Sequence, residues 1–178
     1  MIKTSYAISL LSKITKGKAV VVTDVGQHQM WVAQYYDFEN PRNQITSGGL
    51  GTMGFGFPAA IGAKFGRKND IVLAVCGDGS FQMNMQEFST AVSNNLNLKI
   101  ILINNGHHGM VRQWQTLFFN KNYSCCKFDL NPDYINIAKS YGAKAFQISS
   151  PKDLESSLRE GLSTKGCLLY TSPSPRDY

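Results

Sequence analysis

A chain of 178 residues with 43% hydrophobic and 17% charged residues fits one soluble globular domain with a sizeable core. The net charge of +6 comes from Lys and Arg that are scattered along the chain, with no basic run of the kind that marks a nucleic-acid arm, so no nucleic-acid partner is expected. No apolar run approaches the roughly 20 residues of a membrane span and the N-terminus lacks a secretory signal, so the expectation is a cytoplasmic protein with no membrane contact.

Ile8, Leu11 and Ile14, following Thr4 and Ser5, have helical spacing and predict a helix over 5–14. The β-branched run over 18–23 predicts a strand buried on both faces. After the loop Asp24-Val25-Gly26-Gln27-His28, a second helix runs through Met30, Trp31, Ala33, Gln34 and Tyr35. A short extended piece over 44–46 leads into a segment with five glycines in the nine residues 48–56, where backbone can approach a ligand closely. The helix over 57–65 carries Pro58 near its first turn. A strand over 71–76, the turn Gly77-Asp78-Gly79-Ser80, a helix over 85–93 and a strand over 98–103 come next. Beyond Asn104-Asn105 and Gly106-His107-His108-Gly109, the pattern predicts a helix over 110–119 containing Trp114, then irregular chain over 120–132. A helix over 133–141, a strand over 143–148, a helix over 152–162 and the start of a strand over 167–170 complete the order.

Strands alternating with helices at this spacing predict an α/β fold with a doubly wound, mainly parallel sheet and helices on both faces. Ligands of such sheets sit at the carboxyl ends of the strands, and residues 24–28, 77–80 and 104–108 all fall at such ends. Residues 1–169 are read as one domain and 170–178 as an unrelated or disordered tail. Cys76, Cys125, Cys126 and Cys167 show no metal-type spacing and are read as reduced thiols, with Cys76 a small core residue.

Gly49-x-Gly51-x-x-Gly54 satisfies the dinucleotide fingerprint, yet it lacks a robust preceding strand and a ribose-binding acid about 20 residues on, so nicotinamide binding is set aside. The turn at Gly77 is more specific. Asp78 offers a hard oxygen ligand and Asn105 a neutral one, as magnesium prefers. Gly77 and Gly79 permit a sharp turn, while backbone N–H groups and the Ser80 hydroxyl can reach phosphate oxygens. The 24 residues between Gly79 and Asn104 suffice for one helix and one strand that return the chain to the same sheet edge.

Gly77-Asp78-Gly79 followed at this interval by Asn104-Asn105 resembles the signature of thiamine-diphosphate-dependent enzymes. Within that family, Gly26-Gln27-His28-Gln29-Met30-Trp31, the run from Thr46 to Gly56, and Gly109-Met110-Val111-x-Gln113-Trp114 look like the catalytic subunit of acetohydroxyacid synthase, also called acetolactate synthase. The resemblance covers roughly residues 5–169.

The resemblance implies that Mg²⁺ is bound by the side chains of Asp78 and Asn105 and the backbone carbonyl of His107. Gln27, His28, Gly77, Gly79 and Ser80 would hold the diphosphate, Gly51 and Met53 the aminopyrimidine, and the Met53 side chain would keep the cofactor bent. Met110, Val111 and Trp114 would shape a pocket for the second 2-keto acid; without the resemblance, Trp114 reads as a core residue. The implied chemistry is condensation of pyruvate with a second 2-keto acid with loss of CO2, on the way to branched-chain amino acids. The activating glutamate of the family lies on an N-terminal domain of a neighbouring subunit that no part of this chain matches, and Glu87 is not assigned that role, so no catalytic residue is assigned here. The chain alone is therefore expected to bind cofactor weakly and turn over nothing. A homo-oligomer, a small regulatory subunit and FAD are implied for the full-length enzyme. Rival readings are another thiamine-diphosphate enzyme, such as glyoxylate carboligase or pyruvate oxidase, and a non-catalytic cofactor-binding module.

Overall fold

The computed structural model describes residues 2–173. Six strands form one wholly parallel sheet: β1 (Val20–Thr23), β2 (Gln44–Thr46), β3 (Val72–Gly77), β4 (Leu98–Asn104), β5 (Lys144–Gln147) and β6 (Leu168–Pro173), in the order β2-β1-β3-β4-β6-β5. The central strands are apolar on both faces because both are covered, as a parallel sheet requires. Val20, Val22, Ala74 and Ile100 point into one core with helices α3 (Gly56–Gly66), α5 (Phe88–Ser93) and α7 (Tyr134–Ser140). Val21, Leu73, Val75 and Ile101 point into the other with α1 (Thr4–Thr15), α2 (Gln27–Tyr35) and α8 (Leu154–Ser163). The doubly wound α/β reading thus holds.

The structure differs from the sequence expectation at two places. The helix expected over 85–93 is a 3-10 turn, Met85–Glu87, running into α5, and the turn before it winds into a one-turn helix, α4 (Asp78–Phe81). The stretch from Tyr170, set apart in the sequence as tail, continues β6 to Pro173 between β4 and β5. Neighbours on both sides supply its ladder, which no local pattern in Thr171-Ser172-Pro173 announces. Tyr170 is buried and its hydroxyl donates to the carbonyls of Ser157 (3.2 Å) and Leu158 (3.4 Å) on α8. Residues 174–178 lie outside the described residues.

At the opposite end of the sheet from the carboxyl tips, buried Lys99 of β4 donates to the Thr164 and Gly166 carbonyls and to Asn97, which ties the chain after α8 to the sheet.

The Tyr170–α8 contact leaves no room beside Gly161, where a Cβ would fall on the phenolic oxygen. Gly161→Ala is expected to destabilise the chain by about 1–3 kcal/mol through overpacking. Tyr170→Phe on the Gly161→Ala background should recover only a small part of this loss in urea unfolding, because the ring carbons Cζ and Cε1 crowd the added Cβ as well as the hydroxyl.

Candidate cofactor site at the carboxyl edge

The carboxyl ends of β1, β3 and β4 open on one cavity of about 430 Å³, within the range of small-molecule sites. Each of β1 and β3 ends in a buried aspartate that gathers a glycine loop. Asp24, just past β1, accepts from the N–H groups of Val25 (2.7 Å), Gly54 (2.9 Å) and Gly56 (2.8 Å). Asp78, just past β3, accepts from Gly79 (2.9 Å) on Oδ1 and from Asn105 (3.1 Å) and Gly106 (2.6 Å) on Oδ2. Asp78 thus ties the tip of β3 to the tip of β4. Burial pushes its carboxyl up to about 6, against the backbone N–H donors that favour the anion.

The sequence-predicted residues converge here, with one exception. Gln27, His28, Met53, Gly77, Asp78, Gly79 and Ser80 all line the cavity. So do Asn105 and His107, and Met110, Val111 and Trp114 form the wall contributed by α6 (Gly109–Phe118). Gly51 is the exception: it lies in the exposed loop beside Val25, at φ +63°, away from the lining. Trp114 is 58% exposed at the mouth, so it is not a core residue, and α6 buries no side chain. Glu87 accepts from Thr90 (2.8 Å) and does not line the cavity.

Close packing fixes the floor. The His28 ring fits between Gly26 and Gly77, where a Cβ would come within 2.8 Å and 2.9 Å of it. Burial lowers its basicity to about 4 although the nearby Asp24 opposes the shift, so the ring is neutral at pH 7. Its Nε2 is buried without a hydrogen-bond partner among the described residues. A buried orphan nitrogen at the edge of a cavity is a ready contact for a ligand's polar group. The Asn105 side-chain oxygen accepts from His107 N–H (3.0 Å), and the His107 ring turns back to the Asn105 carbonyl (2.9 Å). That ring nitrogen is thus engaged with the backbone of Asn105.

Three positioning residues escaped the sequence reading. Asp24 holds the Met53 loop by Gly54 and Gly56, and Asn84 holds it from the other side by donating to the Gly54 carbonyl (2.7 Å). Gln113 of α6 accepts from Gln27 (3.1 Å), joining the helix to the cavity floor. Asp24 could have been found by its place: like Asp78, it follows an apolar strand and has a glycine within the next two residues.

Among the described residues the cavity lining includes no Lys or Arg. Among the described residues no cluster of three or more His, Cys, Asp or Glu side chains is arranged to hold a metal ion. The oxygen donors are instead one carboxylate, one carboxamide and backbone carbonyls, a set that suits a hard cation which keeps other oxygens in its shell. No helix is long and apolar enough to cross a membrane among these residues.

Residues 24–170 match the family model described as thiamine pyrophosphate enzyme, C-terminal TPP binding domain. The acetolactate synthase large subunit of Lactococcus lactis subsp. lactis (strain IL1403) is 48% identical over 158 residues, covering 89% of this chain and 28% of that protein. The acetolactate synthase isozyme 3 large subunit of Escherichia coli (strain K12) is 48% identical over 161 residues, 90% of this chain and 28% of that protein. The mitochondrial acetolactate synthase catalytic subunit of Saccharomyces cerevisiae (strain ATCC 204508 / S288c) is 45% identical over 171 residues, 94% of this chain and 25% of that protein. The chain thus spans less than a third of the length of these relatives.

The raised pKa of Asp78 has a definite sign. Its folded value of about 6 lies above the ordinary 3.8, so in metal-free protein the folded state binds the proton more tightly. Its contribution is full below the ordinary value and is lost as pH rises through about 6. His28, depressed to about 4, works in the opposite direction over an overlapping range. Comparing the chain with Asp78→Asn cancels the His28 part. Urea unfolding without metal should show wild-type stability falling relative to Asp78→Asn between pH 4 and pH 6; parallel profiles would contradict the burial of an uncompensated carboxylate.

Proposed function

The chain belongs to the C-terminal TPP-binding domain family of thiamine pyrophosphate enzymes, and we propose that it forms the diphosphate- and Mg²⁺-binding part of an acetohydroxyacid (acetolactate) synthase. The observation that carries the reading is the Asp78 knot. A buried carboxylate and the Asn105 carboxamide share one edge of a cavity that has no Lys or Arg among the described residues. A diphosphate in such a place needs a divalent cation to offset its charge, and the raised pKa marks a carboxylate whose ionised form a cation would favour.

In this reading Asp78 and Asn105 hold Mg²⁺ by their side chains and His107 by its carbonyl. The buried orphan Nε2 of His28, protonated in the tautomer that leaves Nδ1 as acceptor, donates to a diphosphate oxygen, while Gln27, Gly77, Gly79 and Ser80 surround the diphosphate end. Met53, held in place through Gly54 by Asp24 and Asn84, supports the bent cofactor, and the Gly51 backbone contacts the aminopyrimidine from the loop. When bound, thiamine diphosphate supplies the electron sink for decarboxylating pyruvate and joining what remains to a second 2-keto acid. Met110, Val111 and Trp114 line the side where that second substrate would be selected. The activating glutamate comes from outside these residues, so this chain alone binds cofactor weakly and has no turnover. FAD, a homo-oligomer and a small regulatory subunit belong to the proposal for the full-length enzyme only.

Titration with thiamine diphosphate should give binding that requires Mg²⁺ and is lost in Asp78→Ala. Binding that ignores the metal and the substitution would refute the assignment. Adding a separately expressed pyrimidine-domain partner should yield acetolactate from pyruvate, whereas acetolactate from this chain alone, in a clean preparation, would refute the external glutamate.

A further inference from the structure

His108 takes no part in the roles assigned above, yet its ring stands in the cavity beside Asp78 and Gly79. A Cβ on Gly79 would come within 2.9 Å of His108 Nδ1 and Cε1, so the imidazole lies directly against the turn. Its orientation is set from behind by Phe128, edge to face, with ring centroids 4.6 Å apart and planes at 87°. Its backbone is held as well: His108 N–H donates to the Cys126 carbonyl (2.8 Å) and Phe128 N–H to the Gly106 carbonyl (3.0 Å). These bonds flank an antiparallel bridge between His107 and Lys127. No protein hydrogen bond engages either ring nitrogen of His108 among the described residues.

The turn itself is short of donors. Gly79 N–H is directed to Asp78 Oδ1 (2.9 Å) and the Ser80 hydroxyl to the Gly77 carbonyl (3.3 Å). With no Lys or Arg in the lining, a diphosphate has more acceptor oxygens here than the turn has available N–H and O–H groups.

We propose that His108 is a diphosphate-binding residue, its imidazole N–H donating to a phosphoryl oxygen of the cofactor seated over Asp78-Gly79-Ser80. The inference rests on the reading of that turn as the diphosphate end. Phe128 and the bridge at Lys127 hold the ring in advance, so little side-chain freedom is lost on binding. His108 also separates the cavity from a neighbouring groove lined by Gln82, Met83, Lys127, Asp129 and Leu130, so the ring closes the diphosphate end on that side.

The test is calorimetric titration of thiamine diphosphate with saturating Mg²⁺ into the chain, His108→Phe and His108→Gln. Phe keeps an aromatic ring against Phe128 without an N–H; Gln restores an N–H donor. An unchanged unfolding midpoint in both variants checks the fold. The Phe variant should bind about tenfold more weakly, the worth of a hydrogen bond to a charged acceptor, and Gln should recover most of the loss. In the unaltered chain, which has three histidines, the ¹⁵N resonances of the His108 imidazole should move when the magnesium complex is added. Equal affinity of the Phe variant, or an unmoved His108 signal with cofactor bound, overturns the inference and leaves the Asp78 site standing. Failure of the unaltered chain to bind overturns that reading and this inference together.

Discussion

Backbone N–H groups gathered on buried carboxylates hold the functional edge of this domain together. Asp24 and Asp78 sit at the ends of adjacent parallel strands, and each accepts three N–H bonds, two of them from a loop that the strands alone would leave apart. Such bonds to a charged acceptor contribute about 1.5–3 kcal/mol each, while removing a carboxylate from water costs several kcal/mol. At Asp78 the balance is incomplete, because burial outweighs the donors and raises the pKa to about 6. The fold therefore maintains a negative centre that a cation would stabilise, and folding free energy stored there becomes available to binding.

The same economy explains the glycines. His28 occupies the space between Gly26 and Gly77, Asp24 packs on Gly56, and His108 with Phe128 lies on Gly79. Each glycine is required because another side chain touches its backbone, which is how a cavity floor can be made of main chain. The α6 wall is built differently. It buries nothing, is joined to the floor by the Gln27–Gln113 bond, and is tied to the following loop by Arg112 stacked 4.0 Å from the Tyr123 ring centroid. The Asp78 turn is closely packed by its neighbours, whereas the α6 wall is exposed along Val111, Trp114, Leu117 and Phe118.

Much of this was legible in the sequence, for identifiable reasons. β1, β3 and β4 are continuous apolar runs, and their buried position on both faces follows from covered parallel pairing. The spacing from Gly79 to Asn104 placed two strand tips together because one helix and one strand fit between them. What escaped depends on contacts across the chain. Asp24 reads as a loop acid until its partners 30 and 32 residues away are seen. Strand pairing of Tyr170–Pro173 is dictated by β4 and β5 and by the Tyr170 hydroxyl on α8, not by local pattern. Trp114 has the spacing of a core residue, and only the open side of α6 shows that it faces out. His108, in a stretch with no motif of its own, acquires meaning from Gly79 and Phe128.

In the proposed function the Asp78–Asn105 edge holds a diphosphate through a divalent cation. A crystal structure of the chain with Mn²⁺ and thiamine diphosphate, phased to show the anomalous signal of manganese, tests it most directly. One strong peak is expected, bonded to side-chain oxygens of Asp78 and Asn105 and to the His107 carbonyl, with diphosphate density completing the shell. Diphosphate density in the cavity without a peak at Asp78, or a peak bound elsewhere, would contradict it.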